Sequence, residues 1–303
     1  MRLVALVQLR SNIKNKILKI TAHVTRILLF FIVCGSLSAC LSTKVMRSPA
    51  ARAAYATDLA TKKGWKPLFI HTSKFTLQAY GSPKTAHANL LTIYIEGDGL
   101  AWLSAEKLST NPTPMNPIGL KMALRDPSKT PVAYIARPCQ YVTDHTARHC
   151  CPAYWSHLRF APEVIQSMNQ AVSYLKHYYH AQQLVLFGYS GGGTVATLLA
   201  AQRTDVKQLI TVAAVLDIDE WVKRKHLSQL DGSLNPADAW RGLLAIPQTH
   251  WVGGKDTVVP KEVAFAFAQR FPSTQQPSIR VIPSFDHSAG WTRAFNNGVS
   301  CDS

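Results

Sequence analysis

The chain has few acidic residues and lacks an apolar run long enough to cross a membrane. Its 303 residues include 17 Asp and Glu against 33 Lys and Arg, which gives a formal net charge of +16. The first 26 residues contain no Asp or Glu, and the apolar block that follows, residues 27–37, is 11 residues long. A bilayer-spanning helix needs about 20 apolar residues. This end of the chain is therefore typical of an export signal rather than of a transmembrane segment.

The residues after the apolar block indicate where such a signal ends. A basic segment, an apolar block and small residues in this order predict a signal peptide over residues 1–39. The sequence Leu37-Ser38-Ala39-Cys40 resembles a bacterial lipobox, and that resemblance implies lipidation of the Cys40 sulfur and anchoring in the cell envelope. With Leu41 after the cysteine, it further implies the outer membrane, facing the periplasm. An ordinary signal peptide and an uncleaved anchor are the alternatives.

The basic excess lacks the pattern of a nucleic-acid binder. Lys223-Arg224-Lys225 is the only tight basic run after the signal, and no stripe of Lys and Arg alternates with aromatic side chains, as single-strand binders require. Internal repeats and low-complexity tracts are also missing. The sequence therefore indicates no nucleic-acid partner, and its charge suits contact with an anionic membrane or envelope polymer.

Cysteine is scarce, and its spacing lacks the C-x2-C hook of many structural zinc sites. Four of the six cysteines lie beyond position 40: Cys139, Cys150, Cys151 and Cys301. They can oxidise in an exported protein, and because adjacent cysteines are poor partners for each other, we expect Cys139 to pair with Cys150 or Cys151. Zinc bound with the help of the nearby His145 and His149 is the alternative. We expect no metal and no organic cofactor.

Beyond the signal, residues 40–64 are polar and Ala-rich and predict a tether or an amphipathic entry helix, followed by a domain over 65–303. Strands are expected over 66–72, 75–80, 90–95, 131–136, 184–187, 206–215, 247–252 and 278–282, and helices over 118–124, 162–180, 194–202 and 261–271. Such alternation predicts an α/β fold, with a mostly parallel sheet covered by helices on both faces. The long polar segment 217–244 is the candidate for a cap over the site.

The motif richest in chemistry is Gly188-Tyr189-Ser190-Gly191-Gly192, a G-x-S-x-G pattern between a buried strand and a helix. A serine at such a junction sits on a tight, strained turn, and glycines on either side let the turn close. Its hydroxyl is then held above the sheet, where the first N–H groups of the helix face an anion forming on the substrate. The motif predicts that Ser190 is a nucleophile. A purely structural Gly-rich turn is the alternative.

A serine nucleophile needs a base and a carboxylate that orients the base. Asp256 directly follows the strand expected over 247–252, and His287 follows the last strand, so we expect these two residues to serve. The alternative for Asp256 is a turn aspartate that caps the next helix. Asp217 and Asp219 are the reserve acids, whereas Asp286 should point elsewhere because it is adjacent to His287.

These motifs, in this order, resemble the α/β-hydrolase superfamily: Gly188-Tyr189-Ser190-Gly191-Gly192, Gly253-Gly254-Lys255-Asp256 and Asp286-His287. Three further segments resemble a poorly characterised group of exported bacterial α/β-hydrolase lipoproteins: Tyr94-Ile95-Glu96-Gly97-Asp98-Gly99, Ala136-Arg137-Pro138-Cys139-Gln140-Tyr141, and Tyr154-Trp155 with Arg159-Phe160. The resemblance covers roughly residues 65–295. It implies the α/β-hydrolase fold but no particular substrate.

In the α/β-hydrolase plan the oxyanion hole combines the N–H after the nucleophile, here Gly191, with one from the loop after the third strand. We expect the second donor to be Asp98 N–H, with Gly99 as the alternative, and the Asp98 side chain to turn away and bond its own loop. A simple Asp-Gly turn, and a pairing of Glu96 with Asp98 for glycoside hydrolysis, are weaker interpretations. The polar and aromatic residues near Cys139 either line the substrate pocket or form a structural loop pinned by the disulfide.

The resulting hypothesis is a serine hydrolase of carboxylesterase or lipase type, anchored in the bacterial cell envelope. It would act on a small-molecule or lipid ester through an acyl-enzyme on Ser190. A non-catalytic envelope lipoprotein that keeps the hydrolase fold as a scaffold is the alternative from another class. A serine peptidase or thioesterase would use the same three residues.

Overall fold

A sheet of eight strands forms the centre of the computed structural model, which describes residues 47–84, 89–142 and 147–294. The strands are β1 (Lys66–His71), β2 (Thr76–Gly81), β3 (Leu90–Ile95), β4 (Val132–Ile135), β5 (Gln183–Tyr189), β6 (Val206–Val212), β7 (Gln248–Gly253) and β8 (Ser278–Ile282). Their order across the sheet is β1-β2-β4-β3-β5-β6-β7-β8. β2 pairs antiparallel with both β1 and β4, and every pair from β4-β3 to β7-β8 is parallel.

Helices cover both faces of this sheet. They are α1 (Pro49–Thr61), α2 (Ile118–Ala123), α3 (Pro162–Tyr178), α4 (Gly191–Ala200), α5 (Ile218–Lys225), α6 (Lys261–Ala268) and α7 (Trp291–Ala294), with 3-10 helices at Pro152–Trp155 and Pro236–Leu243. Alternate residues of β5 point to opposite faces: Leu184 and Leu186 join a core cluster with α3, α4 and α6, whereas Val185 and Phe187 join a second cluster with α1 and α2. The prediction of an α/β fold with a mostly parallel, doubly covered sheet is confirmed.

The stretch expected to be a tether contains a helix that packs on the domain. The Ser48 hydroxyl caps α1 by accepting from Ala51 N–H at 3.2 Å, and Pro49 suits the first turn of a helix. Ala56 and Ala60 are fully buried, and the buried Arg52 guanidinium donates to the carbonyl of Thr113. Of the two alternatives for residues 40–64, a tether and an entry helix, the structure has a helix over Pro49–Thr61, and small side chains on one face of α1 let it dock closely.

Several sequence-based expectations lie outside the described residues. They include the signal peptide over 1–39 and the lipidation site Cys40, as well as His145 and Cys301. Within the described part of the chain, no helix has both the length and the apolar character to cross a membrane.

Candidate active site

Ser190 lies on the turn between β5 and α4, at the carboxyl edge of the parallel strands. Its backbone has φ 51° and ψ −125°, a strained conformation for a residue with a side chain. The surrounding glycines make this turn sterically feasible. A Cβ on Gly188 would lie 2.4 Å from the Gly192 carbonyl oxygen, and one on Gly192 would lie 2.2 Å from the Ile95 carbonyl oxygen. The sequence motif thus lets β3, β5 and α4 approach closely while the serine side chain projects from the turn.

The structure brings Ser190, His287 and Asp256 into one hydrogen-bonded chain. Ser190 Oγ is 3.0 Å from His287 Nε2, and His287 Nδ1 is 2.8 Å from Asp256 Oδ2. The Asp256 side chain is fully buried, and its other oxygen accepts the N–H groups of Val258 and Val259 at 2.9 and 2.8 Å. An ionised carboxylate here accepts Nδ1–H, which leaves Nε2 free to accept the serine proton. This is the geometry of a nucleophile, a base and an orienting acid.

Two aromatic residues that sequence reasoning did not single out hold the histidine loop. Tyr189, the residue before the serine, donates its hydroxyl to the His287 carbonyl at 3.0 Å. Trp291 donates its indole N–H to the Asp286 carbonyl at 2.9 Å. The Asp286 carboxylate accepts the N–H groups of Ala289 and Ser288, which lower its pKa, and so points away from the histidine ring as expected. Both aromatic residues occur in or beside the motifs, but local sequence carries no signal for these long-range bonds.

The reserve acids lie in a different network. Asp217 caps α5 by accepting from Glu220 N–H at 3.2 Å, and it pairs with Arg270 at 3.3 Å. Asp219 accepts from the Asn235 amide at 3.2 Å. Neither carboxylate has a hydrogen bond to His287 among the described residues, so Asp256 is the acid that the geometry favours.

The Asp98 side chain lies against the nucleophile turn, and the expectation that it turns away to its own loop is wrong. A Cβ on Gly191 would lie 2.0 Å from Asp98 Oδ1. The carboxylate accepts from Arg137 Nη1 at 3.1 Å and from Arg159 Nη1 at 2.8 Å. Two guanidinium groups facing one carboxylate leave a net positive charge, so this carboxylate does not oppose an oxyanion nearby.

Charge balance keeps the Asp98 carboxyl ionised in this cluster. Burial by itself raises the pKa of the Asp98 carboxyl, but the charges of Arg159 and Arg137 more than offset it, so the pKa lies below its ordinary value. Burial lowers the pKa of Arg137 to about 10, which still leaves its guanidinium positive at neutral pH.

The predicted oxyanion donors lie in the loop that crosses over Ser190. A Cβ on Gly97 would lie 3.2 Å from Ser190 Cβ, which places the following peptide next to the nucleophile. Within the described residues, the N–H groups of Gly191, Asp98 and Gly99 have no acceptor, whereas Gly97 N–H already donates to the Glu96 carboxylate at 3.0 Å. The peptide groups beside the serine therefore include N–H donors that remain available to an oxyanion.

Glu96 anchors this loop instead of pairing with Asp98. Its buried carboxylate accepts the N–H groups of Gly97 and Gly119 and the Tyr134 hydroxyl, each at 3.0 Å. Burial raises the pKa of Glu96, against the effect of these hydrogen bonds. With both oxygens engaged by the loop, β4 and α2, the carboxylate has the environment of a structural anchor, and the glycoside-hydrolysis interpretation loses its support.

A cavity of about 980 Å³ opens at Ser190 and His287. Its walls are mainly apolar and include Leu100, Leu108, Met115, Trp221, Leu230 and Val259. Three large apolar side chains at the same cavity remain substantially exposed: Trp102 at 41%, Leu227 at 44% and Val258 at 47%.

The expected cap over 217–244 contributes Trp221 and residues 227–230 to the walls, while its later residues Ala237 and Leu243 are buried in the core. Only the first half of that segment borders the cavity.

The cysteine loop lies behind the site. Cys139 forms a disulfide with Cys150, with Cα atoms 5.6 Å apart, and Cys151 is a free, exposed cysteine. In the described ranges no group of three or more His, Cys, Asp or Glu side chains is arranged to hold a metal ion. Tyr154 donates to Glu163 at 2.9 Å and Trp155 donates to the Ser109 carbonyl at 3.0 Å. These contacts favour the structural-loop interpretation of the two aromatic residues.

Comparisons with known proteins give matches among solved structures only. No protein-family model and no curated protein sequence matches the chain. An α/β serine hydrolase homologue from Coxiella burnetii is 15% identical with a TM-score of 0.54, covering 78% of this chain and 97% of its own. An esterase from Pyrococcus furiosus is 13% identical with a TM-score of 0.52, covering 77% and 88%.

A third match is the acylaminoacyl peptidase of Pyrococcus horikoshii, which is 12% identical with a TM-score of 0.54 and covers 74% of this chain but 37% of its own. Likeness at such low identity shows a shared fold, since one fold supports many activities. The protein has the fold of the α/β-hydrolase superfamily.

Proposed function

We propose that this protein is a serine hydrolase of carboxylesterase or lipase type. The observation that carries the proposal is the chain of hydrogen bonds from Ser190 through His287 to Asp256, whose first two members line an apolar cavity. A non-catalytic scaffold would have no need to hold a serine in a strained conformation beside a correctly oriented imidazole. The serine hydrolases and the esterase among the similar structures support this chemistry.

The proposed reaction proceeds through an acyl-enzyme. Ser190 Oγ attacks the ester carbonyl carbon while His287 Nε2 takes its proton, and the Asp256 carboxylate stabilises the imidazolium. The carbonyl oxygen becomes an oxyanion that accepts from Gly191 N–H and Asp98 N–H. Collapse of this intermediate breaks the ester bond, and His287 returns the proton to the departing alcohol. Water then attacks the acyl group with His287 as the base, which releases the acid and restores the serine.

The cavity indicates an ester with a sizeable apolar acyl or alcohol group. Its volume falls at the upper end of the usual range for small-molecule sites. Each methylene group transferred from water into such a cavity gains about 0.8 kcal/mol, and the exposed apolar residues at the cavity add surface that a short substrate would leave uncovered. This argument favours an apolar ester, including a lipid ester, over a small polar one.

A series of p-nitrophenyl esters tests this substrate class. We expect kcat/KM to rise by at least about tenfold from the acetyl to the octanoyl ester, since buried methylene groups stabilise the transition state. Matched anilide and thioester substrates of the same acyl length serve as controls, because a peptidase or thioesterase would use the same residues. A flat or falling profile, or a higher kcat/KM for the anilide, would contradict the proposed specificity.

We also propose that the protein is anchored in the cell envelope through Cys40, on the outer membrane and facing the periplasm. The support is the sequence alone: a basic segment, a short apolar block and the Leu37-Ser38-Ala39-Cys40 motif. One acyl chain gives only marginal membrane binding, so firm anchoring requires a multiply acylated cysteine.

Substitution of the proposed lipidation site tests the anchor. Cys40→Ser is expected to release the protein from the membrane fraction or to leave an unprocessed precursor, as measured by fractionation and N-terminal mass spectrometry. Cys34→Ser, inside the apolar block, is the matched control and should leave processing unchanged. An unmodified mature N-terminus at another position in the native protein would show a different export route and remove the anchor.

A further inference from the structure

The segment after β4 forms two hydrogen bonds to the loop that contains Gly97 and Asp98, beside Ser190. We call residues 137–140 the brace. Gln140 Nε2 donates to the Gly97 carbonyl at 2.9 Å, and Arg137 Nη1 donates to Asp98 Oδ1 at 3.1 Å. Inside the brace, the side-chain amide oxygen of Gln140, Oε1, accepts from the Arg137 backbone N–H at 3.1 Å. The brace thus holds one backbone carbonyl and one side chain of the loop that supplies the proposed oxyanion donor.

The bond from Gln140 fixes the orientation of one peptide plane. The Gly97 carbonyl and the Asp98 N–H belong to the same planar trans peptide, in which the two groups point in opposite directions. Holding the carbonyl toward Gln140 therefore holds the N–H toward the other side of the plane. A Cβ on Gly97 would lie 3.2 Å from Ser190 Cβ, and Asp98 lines the cavity together with Ser190, whereas Gln140 does not. The loop therefore has Gln140 on the side of the Gly97 carbonyl, and it borders the cavity at Asp98.

We propose that Gln140 is a positioning residue that aims Asp98 N–H at the reaction oxyanion. The inference rests on the proposed hydrolase function and adds a residue that touches neither substrate nor serine, since Gln140 is absent from the cavity walls. An amide side chain suits this task because it accepts from the brace backbone and donates to the loop at the same time.

Burial, backbone hydrogen bonds and a neighbouring disulfide restrict the conformation of Gln140. Gln140 is 1% exposed, and its backbone N–H donates to the Arg137 carbonyl at 3.2 Å. Cys139 and Tyr141, on either side, have positive φ values of 70° and 60°, and Cys139 is tied to Cys150 by the disulfide. Tyr141 N–H donates to the Thr113 hydroxyl at 2.8 Å. Non-glycine residues keep such backbone conformations only where the surrounding structure enforces them, which is common at functional sites.

The loop packs so closely against Gln140 that it has little room to move. A Cβ on Gly99 would lie 2.8 Å from Gln140 Nε2 and 2.1 Å from the Pro112 carbonyl oxygen. Gly99 also has φ +68°, which favours glycine. The donor loop is therefore confined between Ser190 on one side and Gln140 on the other, and the glutamine hydrogen bond sets which way its peptide faces.

The test separates positioning from general stability. Gln140→Met keeps the side-chain volume but removes both hydrogen bonds, and Gln140→Glu removes only the donor to Gly97. We expect each to lower kcat for the octanoyl ester by about a hundredfold, the usual loss for one oxyanion donor, with KM changed by less than about threefold. The affinity for a trifluoromethyl ketone, which forms an oxyanion on the serine, should fall by the same factor as kcat/KM.

Gln78→Met is the matched control, because Gln78 is also a buried glutamine, at 3% exposure, whose amide donates to the Leu68 and Ala79 carbonyls. It should lower the melting temperature but leave kcat and ketone affinity unchanged. Gln140→Met or Gln140→Glu with ketone affinity within threefold of the parent protein would overturn the positioning role. A parent protein without Ser190-dependent hydrolysis would instead overturn the proposed function, so the two failures are distinct.

Discussion

Ser190→Ala and His287→Ala are each expected to lower kcat for an activated octanoyl ester by about 10⁴-fold or more. The first removes the nucleophile, and the second removes the imidazole that is bonded to it through Nε2 at 3.0 Å. Losses of this size follow when one member of a catalytic triad is removed, because the members act as a unit. Steady-state kinetics with purified parent protein and purified variants measures the effect. The double variant should lose little more than either single one.

His157→Ala and Ser288→Ala are the matched controls for these variants. His157 lines the same cavity without a bond to Ser190, and Ser288 lies next to His287 with its hydroxyl toward Asp286 at 3.4 Å. Both control variants should keep kcat within about threefold of the parent protein. Activity within tenfold of the parent in both Ser190→Ala and His287→Ala would contradict the triad.

Asp256→Asn is expected to lower kcat by about 10⁴-fold while leaving KM nearly unchanged. The asparagine amide keeps one oxygen, which can still accept the N–H groups of Val258 and Val259 as Asp256 Oδ1 does, so the turn should fold as before. The other position becomes an NH₂ group, which cannot accept Nδ1–H at 2.8 Å and favours the wrong imidazole tautomer. In a well-studied serine protease the equivalent change costs about this factor.

Asp217→Asn and Asp219→Asn provide the comparison for that variant. Both carboxylates follow β6 and accept from the Asn235 amide, and Asp217 also pairs with Arg270. We expect kcat to change by less than about threefold in each, even where Asp217→Asn weakens the cap of α5 and lowers the melting temperature. The reverse ranking, with Asp217→Asn the most damaging, would place the acid after β6.

The sheet and the chain order of the site were accessible from the sequence because both depend on local patterns. Buried strands appear as short apolar runs, and all eight expected runs are strands in the structure. One difference at the site is at α4, which begins at Gly191 instead of 194, since three glycines conceal the start of a helix. The structure brings Asp256 and His287 together with Ser190 because the carboxyl ends of parallel strands meet at one edge of the sheet.

The features that the sequence did not reveal are contacts between distant segments. Asp98 receives Arg137 and Arg159 from 39 and 61 residues away, and no local pattern indicates which carboxylate an arginine will face. The expectation that Asp98 turns aside considered one charge alone, whereas the fold supplies two opposite charges. The sequence left a tether and an entry helix as alternatives for α1 for a related reason, because an Ala-rich helix carries little apolar signal until the surface that it covers is known.

Covalent capture by a fluorophosphonate tests the central claim, that Ser190 is an activated nucleophile. The protein is incubated with the reagent, digested, and mapped by mass spectrometry, with Ser190→Ala and Asp256→Asn treated in parallel. We predict a single phosphonylated serine, Ser190, in the parent protein, no adduct in Ser190→Ala, and strongly slowed labelling in Asp256→Asn. A folded parent protein whose Ser190 stays unmodified under conditions that label known serine hydrolases would contradict the claim.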